Sequence, residues 1–339
     1  MITRRVTLSD VAKLACVSAI TVSRVINQPE KVSGPVKEKV HSAIEKLGYI
    51  PNRSASALAS ARSGVIGVII PSLSNNVFIE VLRGIYEIAG PAGYQVLMAD
   101  SHYSHLEEES MVRTLLGQSP EAMIITGGGQ TEYTNNMLRS AGIPVVQLME
   151  ILDEPIDMNV GISHRQAAYD VVSRLVASGY KKLGFVGARM DPRAQQRLKG
   201  YRKAMESAGV YRGDWVITTP KPSSIAMGAE LFTSLMAKSA GECNAVFCVN
   251  DDLAMGALFE CQRMQLAVPE SMAICGFNDT EASALMNPPL TSVNVPRYDM
   301  GVKATEMVLR AIKGEALDNK VVDCGYQIKI RESTQRAIY

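Results

Sequence analysis

The stretch VTLSDVAKLACVSAITVSRVIN, residues 6–27, contains two short helical patterns separated by a tight break. Each pattern begins with residues that cap helix N-termini, Thr7 with Asp10 and Ser18 with Thr21. Each also has an apolar face, and small residues suit helices that cross closely. The faces consist of Leu8, Val11, Ala12 and Ala15 in the first helix and Val22, Val25 and Ile26 in the second. The pattern predicts a helix-turn-helix.

A third helical pattern runs from Ser33 to Leu47, with Pro35 in its first turn and Gly48 as its stop. Its apolar stripe consists of Val36, Val40, Ala43, Ile44 and Leu47. Three amphipathic helices of this length can bury one small core, so we expect residues 1–50 to form a domain of their own.

The second helix would then present a surface suited to DNA. Arg24 can donate two hydrogen bonds to guanine, while Ala19 and Ile20 can contact thymine methyl groups in the major groove. Polar groups of the kind that fix register on phosphates are carried by Thr21, Ser23 and Asn27. A three-helix protein-interaction module with a solvated face is the alternative interpretation of the pattern.

The charge of the chain is unevenly distributed. Residues 1–63 contain ten Lys/Arg and four Asp/Glu, a net charge of +6, whereas the whole chain carries +1, so the remaining residues carry −5. A basic segment followed by an acidic body indicates that the N-terminal segment alone binds a polyanion.

Composition argues against a membrane or metal-binding protein. The first residues have no apolar core of signal-peptide length, and no stretch approaches the roughly eighteen apolar residues of a membrane span. We therefore expect a cytoplasmic protein without a membrane partner. The cysteines form no C-x-x-C pair and have no histidine at ligand spacing, which favours buried free thiols over disulfides or a metal site. They are Cys16, Cys243, Cys248, Cys261, Cys275 and Cys324.

Enzymatic motifs are absent from the sequence. The Gly-Gly-Gly run at 127–129 is neither a Walker loop nor a dinucleotide fingerprint, and no histidine accompanies a G-x-S-x-G elbow. His102 and His105 precede the acidic residues 107–109 in an order that could imitate a metal cluster, but a solvated helix start explains them. We expect no catalytic residue, no metal and no cofactor.

From Gly64 onward, short apolar runs alternate with amphipathic helical patterns in two series, the second of which begins after residue 160. This alternation predicts two subdomains, each a parallel sheet with helices on both faces. Ligands of doubly wound sheets bind beyond the carboxyl ends of strands. Polar segments at those ends are PSLSNN (71–76), TGGG (126–129), GARMDPR (187–193), VNDD (249–252) and GFNDT (276–280). We expect them to line a cleft between the subdomains.

Residues 6–27, followed by VS...K.KV..AI..LGYIPNRSASALA at 32–59, closely resemble the headpiece and hinge of the LacI/GalR family of transcriptional regulators. The resemblance implies a hinge helix that folds on operator DNA, with Leu58 as a wedge in the minor groove and Ala55 beside it. The implied DNA contacts are Thr7, Leu8, Ser18, Ala19, Ile20, Thr21, Ser23, Arg24, Asn27, Ser33, Asn52, Ala55 and Leu58.

Two features of this N-terminal region qualify the resemblance. The hinge segment is rich in Ala and Ser and has little to bury, so a helix there would be marginal by itself, and a flexible linker is the alternative. Cys16 stands where the family usually has a turn glycine. A non-glycine residue with positive φ costs about 1 kcal/mol, which would loosen the turn without abolishing the motif.

The body resembles the effector domain of the same family, which is itself similar to periplasmic sugar-binding proteins. The resemblance is carried by PSLSN..F.EVLRGI, RLKGY, VNDDLAMGAL, GFNDTEAS and PPLTSV. It places Arg197 at an effector-binding arginine. The other implied effector contacts are Ser72, Asn76, Phe78, Asn250, Asn278 and Asp279. A family glutamine after PPLT is missing, with Val295 near its place, so the polar contacts differ from those of the lactose repressor.

The arginines of this region indicate the ligand class. Arg189, Arg193 and Arg197 recur at four-residue spacing, and guanidinium groups suit carboxylates or phosphates. A sugar acid such as gluconate or a ketogluconate is therefore favoured over a neutral sugar or a purine. IPSLSNNVF, GARMDPR and NDDLAMGALFECQR also resemble the gluconate-repressor branch. The alternative for Arg189 and Arg193 is a surface salt bridge with neighbours such as Asp191.

The expected fold class is α/β, with a three-helix helix-turn-helix headpiece (1–50), a hinge helix or linker (51–63) and a periplasmic-binding-protein-like domain of two doubly wound parallel-sheet subdomains (64–339). We expect the N-subdomain to comprise about 64–162 and 293–322, and the C-subdomain about 163–292 and 323–339. The predicted function is an allosteric repressor that binds a palindromic operator. A homodimer is expected because the tail has no leucine heptads. A sugar-binding protein without a regulatory role is the alternative.

Overall fold

The structure, a computed structural model, describes residue 4, residues 6–50 and residues 62–335. The chain divides into two compact units, residues 1–63 and residues 64–339. We call the first unit the headpiece and the second the body. The predicted hinge residues Asn52, Ala55 and Leu58 lie outside the described residues.

The headpiece contains the three predicted helices. They are α1 (Leu8–Ala15), α2 (Ala19–Asn27) and α3 (Gly34–Leu47), with a 3-10 turn at Pro29–Lys31. Their apolar faces meet in one small core, in which Val11, Val22 and Val40 are fully buried. The three-helix prediction is therefore confirmed.

The predicted caps hold the starts of α1 and α2. The Asp10 carboxylate accepts hydrogen bonds from the Thr7 amide at 2.9 Å and from the Thr7 hydroxyl at 2.6 Å. At α2, Ser18 Oγ accepts a hydrogen bond from the Thr21 amide at 3.1 Å. The bonds from the Thr7 and Thr21 amides satisfy backbone groups at the helix starts, which stabilises these short helices.

Cys16 forms the turn between α1 and α2 in the left-handed conformation, with φ 55° and ψ 43°. Its amide donates to the Lys13 carbonyl at 3.3 Å and so closes the helix end. The turn therefore forms with a β-carbon in a region of φ and ψ that favours glycine. The side chain is exposed, which corrects the prediction of a buried thiol.

The body contains twelve strands and eight helices among its described residues. The strands are β1 (Val65–Ile70), β2 (Gln95–Asp100), β3 (Ala122–Thr126), β4 (Val145–Glu150), β5 (Met158–Ile162), β6 (Leu183–Ala188), β7 (Val216–Thr219), β8 (Ala245–Cys248), β9 (Ala273–Cys275), β10 (Ser292–Asn294), β11 (Val321–Asp323) and β12 (Gln327–Lys329). The helices are α4 (Val77–Ala89), α5 (His105–Leu116), α6 (Glu132–Ser140), α7 (His164–Ala177), α8 (Pro192–Ser207), α9 (Ile225–Lys238), α10 (Asp251–Arg263) and α11 (Arg297–Ile312).

Two parallel sheets form the framework of the body. The N-terminal sheet has the strand order β11-β5-β4-β3-β1-β2, and the C-terminal sheet has the order β7-β6-β8-β9. Strands β3, β4, β6 and β8 are buried at every position, which is typical of parallel strands covered on both faces. A short antiparallel pair joins β10 to β12. The predicted α/β class is confirmed.

The direction in which successive strands are added reverses after β2 in the N-terminal sheet and after β7 in the C-terminal sheet, so that β1 lies between β2 and β3, and β6 lies between β7 and β8. Right-handed crossovers then put the helices before and after the reversal on opposite faces. In the C-terminal sheet, α8 packs against α7, and α9 packs against α10. The loops that follow β1 and β6 therefore lie at switch points, where doubly wound sheets bind ligands.

Close packing of α9 on α10 depends on glycine. A β-carbon at Gly256 would lie 2.0 Å from the Ile225 carbonyl oxygen, and one at Gly228 would lie 2.4 Å from the Leu253 carbonyl oxygen. Because both obstacles are backbone atoms, the two helices would have to separate to admit a side chain.

The remaining cysteines of the body are free. As predicted, the buried thiols include Cys243, Cys248, Cys261 and Cys275, whereas Cys324 is half-buried. Within the described part of the chain, no helix has both the length and the apolar character needed to cross a membrane.

Replacing Cys16 with glycine is expected to stabilise the headpiece by about 1 kcal/mol, because glycine adopts positive φ without steric cost. Amide hydrogen exchange of headpiece residues in the intact chain measures this change. Cys16→Ala is the matched control, since it removes the thiol and keeps the β-carbon. An equal gain in Cys16→Ala would assign the effect to the thiol and not to the backbone.

Gly256→Ala is expected to destabilise the body by about 1–3 kcal/mol, because the methyl group forces α9 and α10 apart. Urea denaturation followed by circular dichroism measures the free energy of unfolding. In the control Gly213→Ala, the added β-carbon has no neighbour nearer than 3.7 Å. Equal stability of Gly256→Ala and the parent chain would show that the helices separate without cost.

Candidate effector cleft and DNA-binding surface

A cleft of about 130 Å³ opens at the carboxyl ends of the strands of the body. Residues that follow β1 and β2 line it from the N-terminal sheet, and residues that follow β6, β7, β8 and β9 line it from the C-terminal sheet. We call it the effector cleft. Its position between the two sheets matches the site predicted from the polar strand ends.

Seven of the nine predicted effector residues lie together in this cleft. They are Ser72, Phe78, Arg189, Arg193, Arg197, Asn250 and Asn278. The structure does not place Asn76 among them, because Asn76 is exposed at the N-terminus of α4, and the preceding Asn75 lines the cleft instead. Asp279 is also absent from the lining. Its carboxylate accepts hydrogen bonds from Arg331 at 2.7 Å and from Asn294 at 3.1 Å.

The predicted contribution of the TGGG segment to the cleft is wrong. Gly128 and Gly129 line a separate pocket, together with Arg139. The physical reason is a pair of side-chain amides on neighbouring segments. Gln147 on β4 donates to Gln130 Oε1 at 2.9 Å, and this bond ties the loop after β3 to the neighbouring strand β4.

Arg197 on α8 is the most heavily engaged side chain of the cleft. Its Nη1 donates to the Val249 carbonyl at 2.6 Å, and its Nη2 lies 3.4 Å from Asn278 Oδ1. The guanidinium carbon sits 3.9 Å from the centre of the Phe277 ring. All these partners are uncharged. Burial lowers the pKa of Arg197 to about 9, so the group stays cationic at neutral pH without a contacting counterion.

His164 links Arg197 to the N-terminal sheet. Arg197 Nε donates to His164 Nδ1 at 3.2 Å, so the ring proton must reside on Nε2, which donates to the Met149 carbonyl at 3.0 Å. Burial, with help from the charges of Arg197 and Arg193, lowers the pKa of His164 well below its usual value. The ring is therefore neutral, and its Nδ1 can accept the hydrogen bond from Arg197.

The other two cleft arginines contact aromatic rings across the cleft. Arg189 stacks on Tyr103 with 4.1 Å between the guanidinium carbon and the ring centre, and Arg193 lies 5.3 Å from the centre of Phe78. Arg193 is also 3.4 Å from Asp191, a pairing that sequence had suggested for the surface, but their side chains are only 10% and 19% exposed. Burial opposes ionisation of Asp191, yet Arg193 and the Ala194 amide outweigh it and lower its pKa.

Five further residues line the cleft, namely Asn75, Tyr103, Asp191, Ser223 and Asp252. Asn75, Asp191 and Asp252 belong to polar segments that were predicted to line it but were not singled out as effector contacts, whereas Tyr103 and Ser223 lie outside those segments. Both of these follow a strand, β2 and β7, so the rule of carboxyl strand ends could have found them. What the sequence does not reveal is which of the many polar residues near strand ends turn toward the cleft.

The exposed face of α2 carries the residues predicted to read DNA. Ile20 is 66% exposed, and Ala19 and Arg24 are exposed beside it. Two of the predicted phosphate contacts are partly engaged within the helix. Thr21 Oγ1 lies 2.8 Å from Ser18 Oγ, and Asn27 Nδ2 donates to the Ser23 carbonyl at 3.1 Å. Among the remaining predicted contacts, Thr7 and Ser33 are exposed and Leu8 is half-buried.

Comparison with known proteins decides the family. Residues 7–52 match the bacterial regulatory proteins of the lacI family, and residues 172–334 match the periplasmic binding protein-like domain. The HTH-type transcriptional regulator GntR of Pseudomonas aeruginosa is 40% identical over 333 residues, which cover 98% of this chain and 96% of that protein. The chain belongs to the LacI family of bacterial transcriptional regulators. The predicted family is thus confirmed, and with it a DNA-binding regulatory function.

Solved structures agree with this LacI-family assignment. A LacI-family regulator from Silicibacter pomeroyi is 32% identical, with a TM-score of 0.92 over 98% of this chain and all of the other. The lac repressor dimer bound to operator and the anti-inducer ONPF is 26% identical, with a TM-score of 0.83 over 98% of this chain and all of the other. The regulator shares its two-part architecture with both proteins.

Proposed function

We propose that this LacI-family regulator is a cytoplasmic repressor that binds a palindromic operator as a homodimer and responds to a sugar acid in the effector cleft. The observation that carries the choice of effector is the buried charge of Arg197, which no described carboxylate contacts. The proposal for DNA rests on the exposed face of α2 and on the basic headpiece.

A carboxylate would complete the surroundings of Arg197. The carboxylates that act on it electrostatically, Asp191, Asp251 and Glu150, form no hydrogen bond or ion pair with it in the described structure. A buried charge without a contacting partner is costly, and a ligand carboxylate would supply that partner. Arg193 forms an ion pair with Asp191 and could donate a second hydrogen bond to the ligand carboxylate.

The rest of the lining favours a polyhydroxy acid over the alternative ligands. Hydroxyl and amide groups of Ser72, Asn75, Ser223 and Asn250 face the cleft and suit ligand hydroxyls. A neutral sugar would leave Arg197 without a contacting anion. A purine needs a free aromatic face for stacking, but guanidinium groups lie over both aromatic rings that line the cleft, Phe78 and Tyr103.

An outward face of α4 supports the proposed homodimer. Ile79 and Tyr86 are 51% and 50% exposed, with the half-buried Leu82 between them at helical spacing. The opposite side of α4 packs on α11. Burial of these apolar side chains against a second copy would remove them from water, and a twofold dimer reads a palindromic site.

Coupling between the cleft and DNA would act through the relative orientation of the two sheets. Arg189 with Tyr103 and Arg193 with Phe78 join opposite walls of the cleft, so a ligand that engages these arginines competes with those contacts. The orientation of the sheets would then determine how the hinge segments of two copies pair. Such coupling is reciprocal and typically amounts to about 1–3 kcal/mol, so DNA and effector change each other's affinity equally.

Arg24→Ala is expected to weaken operator binding by about 1–3 kcal/mol and to relax sequence preference, because the hydrogen bonds to one base pair are lost. The measurement is fluorescence anisotropy with DNA from the protein's own upstream region and with a scrambled duplex. Lys46→Ala, near the end of α3, is the control. An equal loss on both duplexes would show that Arg24 contacts phosphates, and no preference by the parent chain at moderate salt would overturn the operator proposal.

Arg197→Lys and Arg197→Ala are expected to retain operator binding and to lose at least about tenfold in response to gluconate, because neither variant has the guanidinium fork. Anisotropy of the operator complex during titration with gluconate, a ketogluconate, glucose or a purine gives the response. Arg202→Ala, an exposed residue on the same helix, is the control. Loss of operator binding by Arg197→Lys, or a stronger response to glucose or the purine, would contradict the assignment.

A further inference from the structure

Asp252 lines the effector cleft from a different side than the arginines. The switch in strand order puts α8, which carries Arg193 and Arg197, on one face of the C-terminal sheet, and α10, which begins with Asp251 and Asp252, on the other. Ser223, in the segment before α9, joins the same wall, since Asn250 Nδ2 donates to its hydroxyl at 2.8 Å. The cleft therefore has a basic side and an acidic side.

Asp252 has no partner of its own among the described residues. No described cation forms an ion pair with it, and no described donor lies within hydrogen-bond distance of its carboxylate. Burial in the cleft wall raises its pKa, and no neighbouring charge contributes appreciably to that shift. An ionised carboxylate only accepts hydrogen bonds. The donors to Asp252 must therefore come from water or from a ligand.

The two residues before Asp252 already cap α10 and hydrogen-bond to the neighbouring buried hydroxyls, which are the structural roles that an acid at a helix start usually has. Asn250 caps α10, because its Oδ1 accepts the Leu253 amide at 3.1 Å. The fully buried Asp251 accepts hydrogen bonds from the hydroxyls of Ser292 at 2.6 Å and Ser283 at 3.0 Å. Of the two acidic residues at the start of α10, Asp252 is therefore the one that lines the effector cleft.

We infer that Asp252 is a specificity-determining residue that accepts hydrogen bonds from the hydroxyl groups of a sugar acid at the end remote from its carboxylate, and that it rejects acids carrying a second carboxylate there. The inference rests on the proposed function, because it takes the ligand carboxylate to lie at Arg197. A monocarboxylate such as gluconate then fits both sides of the cleft. The dicarboxylate glucarate brings like charges together on the acidic side.

The discrimination follows from the acceptor-only chemistry of the carboxylate. A ligand hydroxyl donates to Asp252, and a charged acceptor in a partly desolvated site forms a stronger hydrogen bond than a neutral one. A second ligand carboxylate offers no proton and adds repulsion. Sites that reject a competitor through an unpaired or like-charged group discriminate more strongly than sites that rely on shape alone.

Asp252→Asn tests this inference in the intact chain by isothermal titration calorimetry with gluconate and with glucarate. The amide keeps the size of the side chain and removes its charge. We expect gluconate to bind about tenfold more weakly and glucarate to bind more tightly, so that the ratio of the two Kd values moves toward glucarate by more than about tenfold. Tighter glucarate binding cannot arise from misfolding.

Asp318→Asn, an exposed aspartate outside the cleft lining, is the matched control and should leave the ratio unchanged. If gluconate binding depends on Arg197 but the ratio is the same in Asp252→Asn as in the parent chain, the inference is overturned and the proposed function stands. If neither acid binds the parent chain, or if binding is indifferent to Arg197→Lys, both are overturned.

Discussion

The burial of Arg197 without a contacting counterion is the constraint on which the rest of the site depends. Its guanidinium reaches the Val249 carbonyl, the Phe277 ring and His164, which come from three separate segments of the body. Neutral His164 carries the linkage to Met149 at the end of β4. A ligand anion that binds Arg197 therefore acts on a side chain linked to both sheets. The same contacts orient the arginine in the absence of ligand.

The contacts that close the cleft are of a kind that a ligand can replace. Arg189 and Arg193 lie over Tyr103 and Phe78 on the opposite wall. Cation–π contacts contribute about 0.5–1 kcal/mol at exposed sites and about 2 kcal/mol when desolvated, as in the buried pair of Arg193 and Phe78. An anion that binds the same guanidinium groups offers stronger charge-assisted hydrogen bonds. The two cation–π contacts that join the sheets are therefore ones that an anionic ligand can replace, which is a suitable arrangement for control by a small molecule.

Errors in the predicted site have local physical causes. The family resemblance implies Asn76, whereas the structure puts its neighbour Asn75 in the cleft lining and leaves Asn76 exposed at the N-terminus of α4. Asp279 was assigned to the ligand but pairs with Arg331, which follows it by 52 positions. Asp252 lies in the predicted cleft segment 249–252, but the sequence does not single it out, because no sequence pattern reports that a side chain lacks a partner.

The sequence by itself determined the three headpiece helices, the alternation of buried strands and helices, the family and the arginine at the centre of the cleft. These features depend on helix capping, on hydrophobic periodicity and on short motifs, all of which involve residues that are close together in the sequence. Tertiary structure alone decided which strand ends converge. The loop after β3 is tied to β4 by the bond between Gln130 and Gln147 and lines a separate pocket. Helices α8 and α10 approach the cleft from opposite faces because the strand order reverses at β6. The composition of the cleft lining thus depends on contacts between segments that are far apart in sequence, and these contacts form only in the folded chain.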